Sequence, residues 1–446
     1  MRRYSRQNHQ HRRRGSDRQQ HDVSQDKQQL NSCVDTDNND EMTTSQSTSR
    51  LLHEYHNSRR SRMLGRDWRQ ALRTPHIYRV GNSTLRIQSH FLVFLLFLVI
   101  ACFVYYGYPL LKSLICVPPE HMLQPRQYYN YNKTYPLTPA SKQFTGVSYK
   151  IAIVSDRDTN SKSTSQRNLW QSNLIRGNLM WMSSRNFISV TWDKAVVALT
   201  SDLNMKGRGM ELSELVTFDG RLLTFDDRSG VTFFLEGDNV YPWVILMDGN
   251  GRSKKGFKSE WATVKDELLY VGSMGKEWTT STGEFVHNDP MWVKVISPNG
   301  EVYSRNWKSN FKHLREAIGI EYPGYMIHES GAWSDVHKKW FFLPRRCSKE
   351  KYDEKIDETM ACNVLLIADE KFVNIKVVYV GSLVPIRGFS SFKFLPDSND
   401  SIIVALKTEE YLNKTATYIT AFNIDGQIIM PDLHVADEKF EGLEFV

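Results

Sequence analysis

From residue 149 onward the chain is built almost entirely of short β-forming runs broken by turn dipeptides. No other feature constrains the fold as strongly. The runs are YKIAIVS, ISVTWD, LVTFDGRLLTFDD, GVTFFLEG, YPWVILMDGNG, LLYVGS, WVKVISPNGEVY, KKWFFLP, VLLIADE, IKVVYVG, IIVALKT and ATYITAFNIDGQIIM. Many alternate apolar and polar residues, and β-branched and aromatic side chains are common. Asp219-Gly220, Asn299-Gly300 and Asp425-Gly426 sit between such runs, the sequence pattern of hairpins. Helical spacing is rare, and residues 311–318 (FKHLREAI) offer the best short helix. A parallel sheet with alternating helices is thereby excluded.

A degenerate repeat runs through these strands. GMELS, GFKSE, GYMIHE, GFS and FEG each precede a group of strands or, for the last, the chain end. The spacing, roughly 45 to 70 residues, is that of four-stranded propeller blades. Five units predict an all-β, five-bladed β-propeller over residues 148–446. The last unit retains one strand, EGLEFV, so strands near 149–155 must complete its blade and close the ring. Ser213, Glu260, Glu329, Ser390 and Glu441 occupy the same point of each unit and are expected to face the central channel together. Three carboxylates and two hydroxyls in one tube would favour a central calcium, which takes six to eight oxygen ligands. The competing reading places these residues on unrelated exposed turns.

The N-terminal third is different. Of the 57 basic and 50 acidic residues, 17 basic and 9 acidic lie in 1–90, so the net charge of +7 belongs to the tail. A broad nucleic-acid surface on the folded part is therefore not expected. Residues 1–86 read as a disordered, basic, cytosolic tail, poor in apolar side chains. No charged residue lies between Arg86 and Lys112, and FLVFLLFLVIACFVYYGY within that stretch predicts a transmembrane signal-anchor helix at 87–111. The basic flank stays inside, giving a single-pass type II protein with a proline-containing stem at 112–147 and a lumenal propeller. Sequons at Asn132, Asn399 and Asn413 agree with a lumenal domain, and Asn132 is expected to carry glycan while Asn82 is not. Cysteines are sparse, and Cys347 and Cys362 flank a loop between two adjacent strands where a disulfide would fit; two unpaired thiols are the alternative.

The strings KGRGMELSEL, FDDRSGV, PWVILMDGNG, GFKSEWATVKDELLYVGSMGKEWT, GYMIHESGAWSD, KKWFFLPRRCS, GFSSFKFLP and FEGLEFV together resemble the soluble calcium-activated nucleotidase, or calcium-dependent apyrase, family. The resemblance covers residues 149–446. It implies a five-bladed propeller with a central calcium held at Ser213, Glu260, Glu329, Ser390 and Glu441. It also implies hydrolysis of nucleoside diphosphates, and often triphosphates, to monophosphate and phosphate. With a lumenal location it implies UDP and GDP as substrates, in the endoplasmic reticulum or Golgi, in support of glycosylation. A processed secreted form and a homodimer are compatible with it.

Chemistry assigns further roles. The guanidinium groups of Arg345 and Arg346 suit a diphosphate. Leu343-Pro344 is expected to end a strand and lift Arg345 toward the propeller face, clear of the metal ligands. Asp156 and Asp158, with Asp226, Asp227 and Arg228, supply acid/base and orienting groups. The resemblance marks Asp158 and Asp226 for water positioning. Glu211 and His328 neighbour ligand positions, and Trp278 could stack on a base. The rival readings are a turn with local ion pairs for 226–230, struts between blades for Arg345 and Arg346, and packing roles for His328 and Trp278. Residues 251–259 lack the Gly-Lys-Ser/Thr adjacency of a P-loop. Two other functions compete with nucleotide hydrolysis. Asp156-Arg-Asp158 mimics the Asp-x-Asp of a type II glycosyltransferase, but such enzymes need alternating helices. A non-catalytic binding propeller would not need a charged centre.

Overall fold

The computed structural model describes residues 76–80, 83–87, 89–103, 105 and 130–446. Expectations for residues 1–75, for 106–129, for Asn82, and for Cys33 and Cys116 lie outside them. The chain divides into two units, Met1–Pro118 and Pro119–Val446.

The described part of the first unit is a hairpin, His76–Val80 with Ser83–Ile87, and a helix, Ser89–Cys102. The hairpin lies where the sequence reading placed the end of a disordered tail. The helix covers part of the expected 87–111 span. At 14 residues it is about 21 Å long. Among the described residues no helix is long and apolar enough to cross a membrane.

The second unit is a five-bladed β-propeller. Blade 1 comprises Leu212–Phe218, Arg221–Asp226, Val231–Glu236 and Asn239–Ile245, from the axis outward. Blade 2 comprises Trp261–Lys265, Leu268–Gly272, Trp292–Ile296 and Val302–Asn306. Blade 3 comprises Tyr325–Ser334, Lys339–Ser348, Val364–Asp369 and Ile375–Tyr379. Blade 4 comprises Arg387–Phe394, Ile402–Tyr411, Lys414–Asn423 and Ile428–Ala436. Blade 5 takes its innermost strand, Phe440–Phe445, from the C-terminus and its others, Gly146–Ser155, Trp170–Met182 and Phe187–Ser201, from the start of the domain. The closure expected from the orphan EGLEFV strand is thus present, with Leu443 opposite Ile153.

Among the described residues most of the hydrophobic core lies between blades, in five large clusters beside two small ones. Trp261 and Val293 of blade 2 meet Trp340, Phe342 and Leu366 of blade 3. Phe341 and Leu365 face the other way, onto Phe389, Ile403 and Phe422 of blade 4. Successive side chains of one strand point to opposite faces, so Phe341 and Phe342 bury into different neighbours. This is why the strands read as nearly continuous apolar runs. Ile151 and Ile153 pack on Val404 and Leu406, Val154 and Leu174 on Leu212 and Phe233, and Val216 and Phe225 on Leu269 and Ile296, completing the ring. The helix Lys308–Glu316, close to the predicted 311–318, buries Phe311 and Leu314 between blades 2 and 3.

Part of the expected stem is bound. Ser141–Gln143 pairs with Gly146–Ser155, so regular structure begins before residue 149. Tyr131 packs on Phe218, Asn132 N donates to Asp219 Oδ1 at 2.8 Å, and Tyr135 OH donates to Glu444 Oε1 at 3.0 Å. These residues border a cavity of about 490 Å³ lined by the C-terminal halves of the innermost strands.

Cys347 and Cys362 form a disulfide with Cα atoms 5.4 Å apart. It closes a loop of 15 residues, for which chain entropy gives about 3 kcal/mol. The double Cys347→Ser, Cys362→Ser variant is expected to lose about that much unfolding free energy in a denaturant titration. An unchanged midpoint would show that the bond constrains nothing.

Candidate functional site

Four of the five expected channel residues sit at β-bulges. Register shifts fall between Leu212 and Leu215, His328 and Gly331, Phe389 and Ser391, and Phe440 and Gly442, around Ser213, Glu329, Ser390 and Glu441. Glu260 directly precedes its strand, and its N–H donates to Gly272 O at 2.8 Å. A bulge twists the strand and re-aims a side chain, so the same irregularity recurs at the same end of the channel. The hydroxyls of Ser213 and Ser390 donate to Ser259 O at 2.5 Å and Phe440 O at 3.3 Å. They tie each blade to the next, and each hydroxyl that donates in this way keeps its oxygen lone pairs for a cation.

Three basic side chains neutralise the carboxylates. Lys258 pairs with Glu260 at 2.7 Å and with Asp227. Arg345 pairs with Glu329, with Glu441 at 2.8 Å and with Glu410 at 2.5 Å. Lys439 reaches Asp156 at 2.7 Å, Asp158 at 3.1 Å, Glu410 at 3.2 Å and Glu441 at 3.6 Å. From Asp158 the network passes to Arg208 at 3.3 Å, then to Glu211 at 2.5 Å, and Arg228 approaches Glu211 at 3.8 Å. Two sets of ion pairs therefore meet at one mouth: Lys258 with Asp227 and Glu260 links blades 1 and 2, and Arg345, Lys439 and Arg208 link blades 3, 4 and 5 to the segment that enters blade 1. Together they gather Asp156, Asp158, Glu211, Asp227, Arg228, Glu260, Glu329, Arg345 and Glu441, residues read separately from the sequence.

The carboxylates respond to this setting. Burial pushes Glu260 up to about 8, with Glu329 adding repulsion and Lys258 opposing it. Burial also raises Glu441 well above the usual range. Glu410, against the same burial, is held at about 2 by Arg345 and Lys439. Burial raises Glu211 to about 7 despite Arg208. Burial likewise works on Asp156, but Lys439 more than offsets it and the net shift is downward. Asp156, Asp158 and Glu211 bring one oxygen each to within 4.8 Å of one another. All these donors are hard oxygens without histidine or cysteine, a set that fits calcium.

A cavity of about 460 Å³ opens beside the channel, lined among others by Ile327, Glu329, Arg345, Arg346, Glu410 and Tyr411. The disulfide-closed loop supplies Glu354, Asp357 and Glu358 to its wall. Arg346 is buried, its Nη1 has no hydrogen-bond partner among the described residues, and Asp357 lies 3.9 Å from its Nε. Burial and the adjacent Arg345 both depress its pKa. An unsatisfied buried guanidinium edge at a cavity is a ready anion contact.

Several expectations change. Lys339–Ser348 does not end at Pro344; the proline pairs with His328 at the bulge, where its missing N–H breaks no ladder bond. Arg345 does touch ligand positions, namely Glu329 and Glu441. Asp226 is fully buried and accepts from Met210 N, Arg228 N and Ser229 Oγ, so it shapes its own loop rather than reaching into the cavity. Burial raises it to about 6. His328 is packed between Phe311 and Phe342, and burial lowers it to about 3, so it stays neutral. Trp278 stacks on His287 with Lys255 Nζ 4.2 Å from its ring, and it does not line the cavity. Lys258, Lys439, Arg208 and Glu410 were missed. The first two precede Glu260 and Glu441 by two residues, a Lys-x-Glu spacing that the repeat already contained.

Comparison with known proteins bears on this site. The Apyrase family model matches residues 157–446. The rat protein "Soluble calcium-activated nucleotidase 1" is 50% identical over 334 residues, 74% of this chain and 83% of that protein. "Apyrase" of Cimex lectularius is 46% identical over 371 residues, 83% of this chain and 99% of that protein. "Apyrase apy-1" of Caenorhabditis elegans is 44% identical over 302 residues, 67% and 84%. A five-bladed propeller carrying an acidic, arginine-lined mouth, matched by this model and these relatives, belongs to the apyrase family of nucleotide phosphohydrolases.

Proposed function

We propose that this enzyme hydrolyses nucleoside diphosphates, UDP and GDP foremost, to monophosphate and phosphate with calcium held at Ser213, Glu260, Glu329, Ser390 and Glu441. The single observation that carries this reading is the convergence of bulged inner-strand residues beside a cavity holding Arg346. When bound, calcium supplies neutralisation and orientation of phosphate oxygens and acidifies a bound water. Arg346 grips a phosphate through its free Nη1 edge. Arg345 holds Glu329, Glu441 and Glu410 in one arrangement. Asp158, half exposed and steered by Lys439 and Arg208, orients the attacking water and takes its proton. Asp156, Asp227 and Arg228 hold these groups in place, and Asp226 holds the turn carrying Asp227 and Arg228. The exposed ring of Tyr411, which borders the cavity, replaces Trp278 as the platform for a base.

The reading places the propeller in the lumen of the secretory pathway, where removal of UDP and GDP supports sugar transfer. The Cys347–Cys362 bond suits an oxidising compartment. Membrane attachment is read from the uncharged run between Arg86 and Lys112. Phe94, Leu96 and Phe97 of the Ser89–Cys102 helix are exposed, as on a helix facing lipid. The test is phosphate release from UDP, GDP, ADP, UTP and ATP by the full-length protein with calcium, with magnesium and with chelator. Release from UDP and GDP only with calcium is expected, and full activity in chelator would refute the calcium requirement.

A further inference from the structure

The two strands Ile402–Tyr411 and Lys414–Asn423 are joined by Leu412 and Asn413 alone, with Tyr411 opposite Lys414. Both turn residues have positive φ, 52° and 61°. That is the tight turn matching the twist of a hairpin, and asparagine tolerates it better than most residues. The turn exposes residues 411–415 to solvent. Asn413 begins a sequon with Lys414 and Thr415. Among the described residues its side-chain amide has no hydrogen-bond partner.

The position of this turn distinguishes it from the other two sequons. Tyr411, Asn413, Lys414 and Thr415 line the same cavity as Glu329, Arg345 and Arg346. Glu410, three residues before Asn413, is the carboxylate bound by Arg345 and Lys439. Leu412 N donates to Glu358 Oε2 at 3.3 Å, so the tip is pinned to the disulfide-closed loop on the facing wall. Asn132, by contrast, borders the cavity at the other mouth of the channel, and its Oδ1 accepts from Thr134 N at 3.0 Å. Its amide nitrogen lies so close to Gly220 that an added Cβ there would meet it at 2.1 Å. Asn399 precedes Asp400, which borders that same distant cavity.

We infer that Asn413 is an N-glycosylation site whose glycan stands on the rim of the catalytic cavity and narrows access to it. The inference rests on the lumenal reading proposed above. In the transfer, the Nδ2 amide nitrogen attacks the anomeric carbon of a lipid-diphosphate oligosaccharide. The carbon–oxygen bond to the lipid diphosphate breaks, the N–glycosidic bond forms, one amide proton leaves, and the lipid diphosphate departs. Thr415 supplies the hydroxyl that sequon recognition requires. The turn carries no strand pairing beyond Tyr411 and Lys414, so the glycan disturbs no ladder. Its base is held over the cavity by the Leu412–Glu358 contact. A nucleotide passes such a fringe more readily than a nucleotide carried on a bulky group.

The experiment expresses the full-length chain in cells with an N-glycosylation machinery and maps occupancy at Asn132, Asn399 and Asn413 by mass spectrometry. Occupied Asn413 is expected, with one endoglycosidase-sensitive step lost in both Asn413→Gln and Thr415→Ala. Glycan at Asn132 or Asn399 with Asn413 bare would overturn the inference while leaving the lumenal reading standing. No glycan at any of the three would overturn both. The second measurement compares native protein with its enzymatically deglycosylated form. Removal is expected to lower KM for a nucleoside diphosphate coupled to a bulky group more than KM for the free nucleotide, with kcat unchanged. Equal KM changes, or none, would overturn the rim position of the glycan.

Discussion

Glu441→Gln is expected to weaken calcium binding by on the order of 10²-fold or more, beyond the 10- to 100-fold typical of residues that merely support a ligand. Calcium-dependent phosphate release should fall with it. Glu441 lies at a bulge of the innermost strand of blade 5, so its carboxylate points to the axis rather than into the Phe440 and Leu443 packing. Glutamine keeps the shape and removes the charge. Folding should survive, because Arg345 retains Glu329 and Glu410, and Lys439 retains Asp156, Asp158 and Glu410. Calcium titration of the folded variant, checked by circular dichroism, separates loss of the ligand from loss of the fold. Wild-type calcium affinity in Glu441→Gln would remove this carboxylate from the ligand set.

The propeller was legible in the sequence because its two signals are local. Strand runs and turn dipeptides act over a few residues, and Asp219-Gly220 forms a tight turn with φ of 52° and 69°. Other tight turns, at Asp266-Glu267 and Leu412-Asn413, use no glycine and left no mark. Blade closure was legible for a topological reason, since an unpaired final strand requires a partner from elsewhere. The five axial positions could be found because they repeat. What could not be read was their compensation. Arg345 meets Glu441 across 96 residues of sequence, and Lys439 meets Asp158 across 281. Pairing of that kind follows from blade geometry and not from neighbouring residues. The bulges were equally invisible, because one extra residue in a strand changes no composition. Trp278 shows the opposite error, in which a residue type suggested a base platform although Lys255 and His287 already occupy its ring.

Arg346→Ala is expected to lower kcat/KM for a nucleoside diphosphate by about 10²-fold, or about 2.7 kcal/mol, as for loss of one charge-stabilising donor. Its Nη1 is buried at the cavity without a partner among the described residues, so a phosphate oxygen would complete a site that is already desolvated. Arg346→Lys should recover little, since an ammonium cannot present the same planar edge. Calcium affinity should hold, because Arg346 pairs with Asp357 and not with an axial carboxylate. Arg345→Ala separates from it on that readout. Arg345 binds Glu329 and Glu441, so its loss should change calcium affinity as well as turnover. The direction follows from charge, because removing a competing cation leaves those carboxylates free and binding should tighten. Turnover should still fall, since Glu329 and Glu441 lose the cation that holds them, with Glu410, in one arrangement beside the cavity. The pair is measured by calcium titration and by steady-state UDP hydrolysis at saturating calcium. Folded Arg346→Ala protein with near-normal kcat/KM would make this arginine a strut to the disulfide loop, and the phosphate grip would then fall to Arg345 alone.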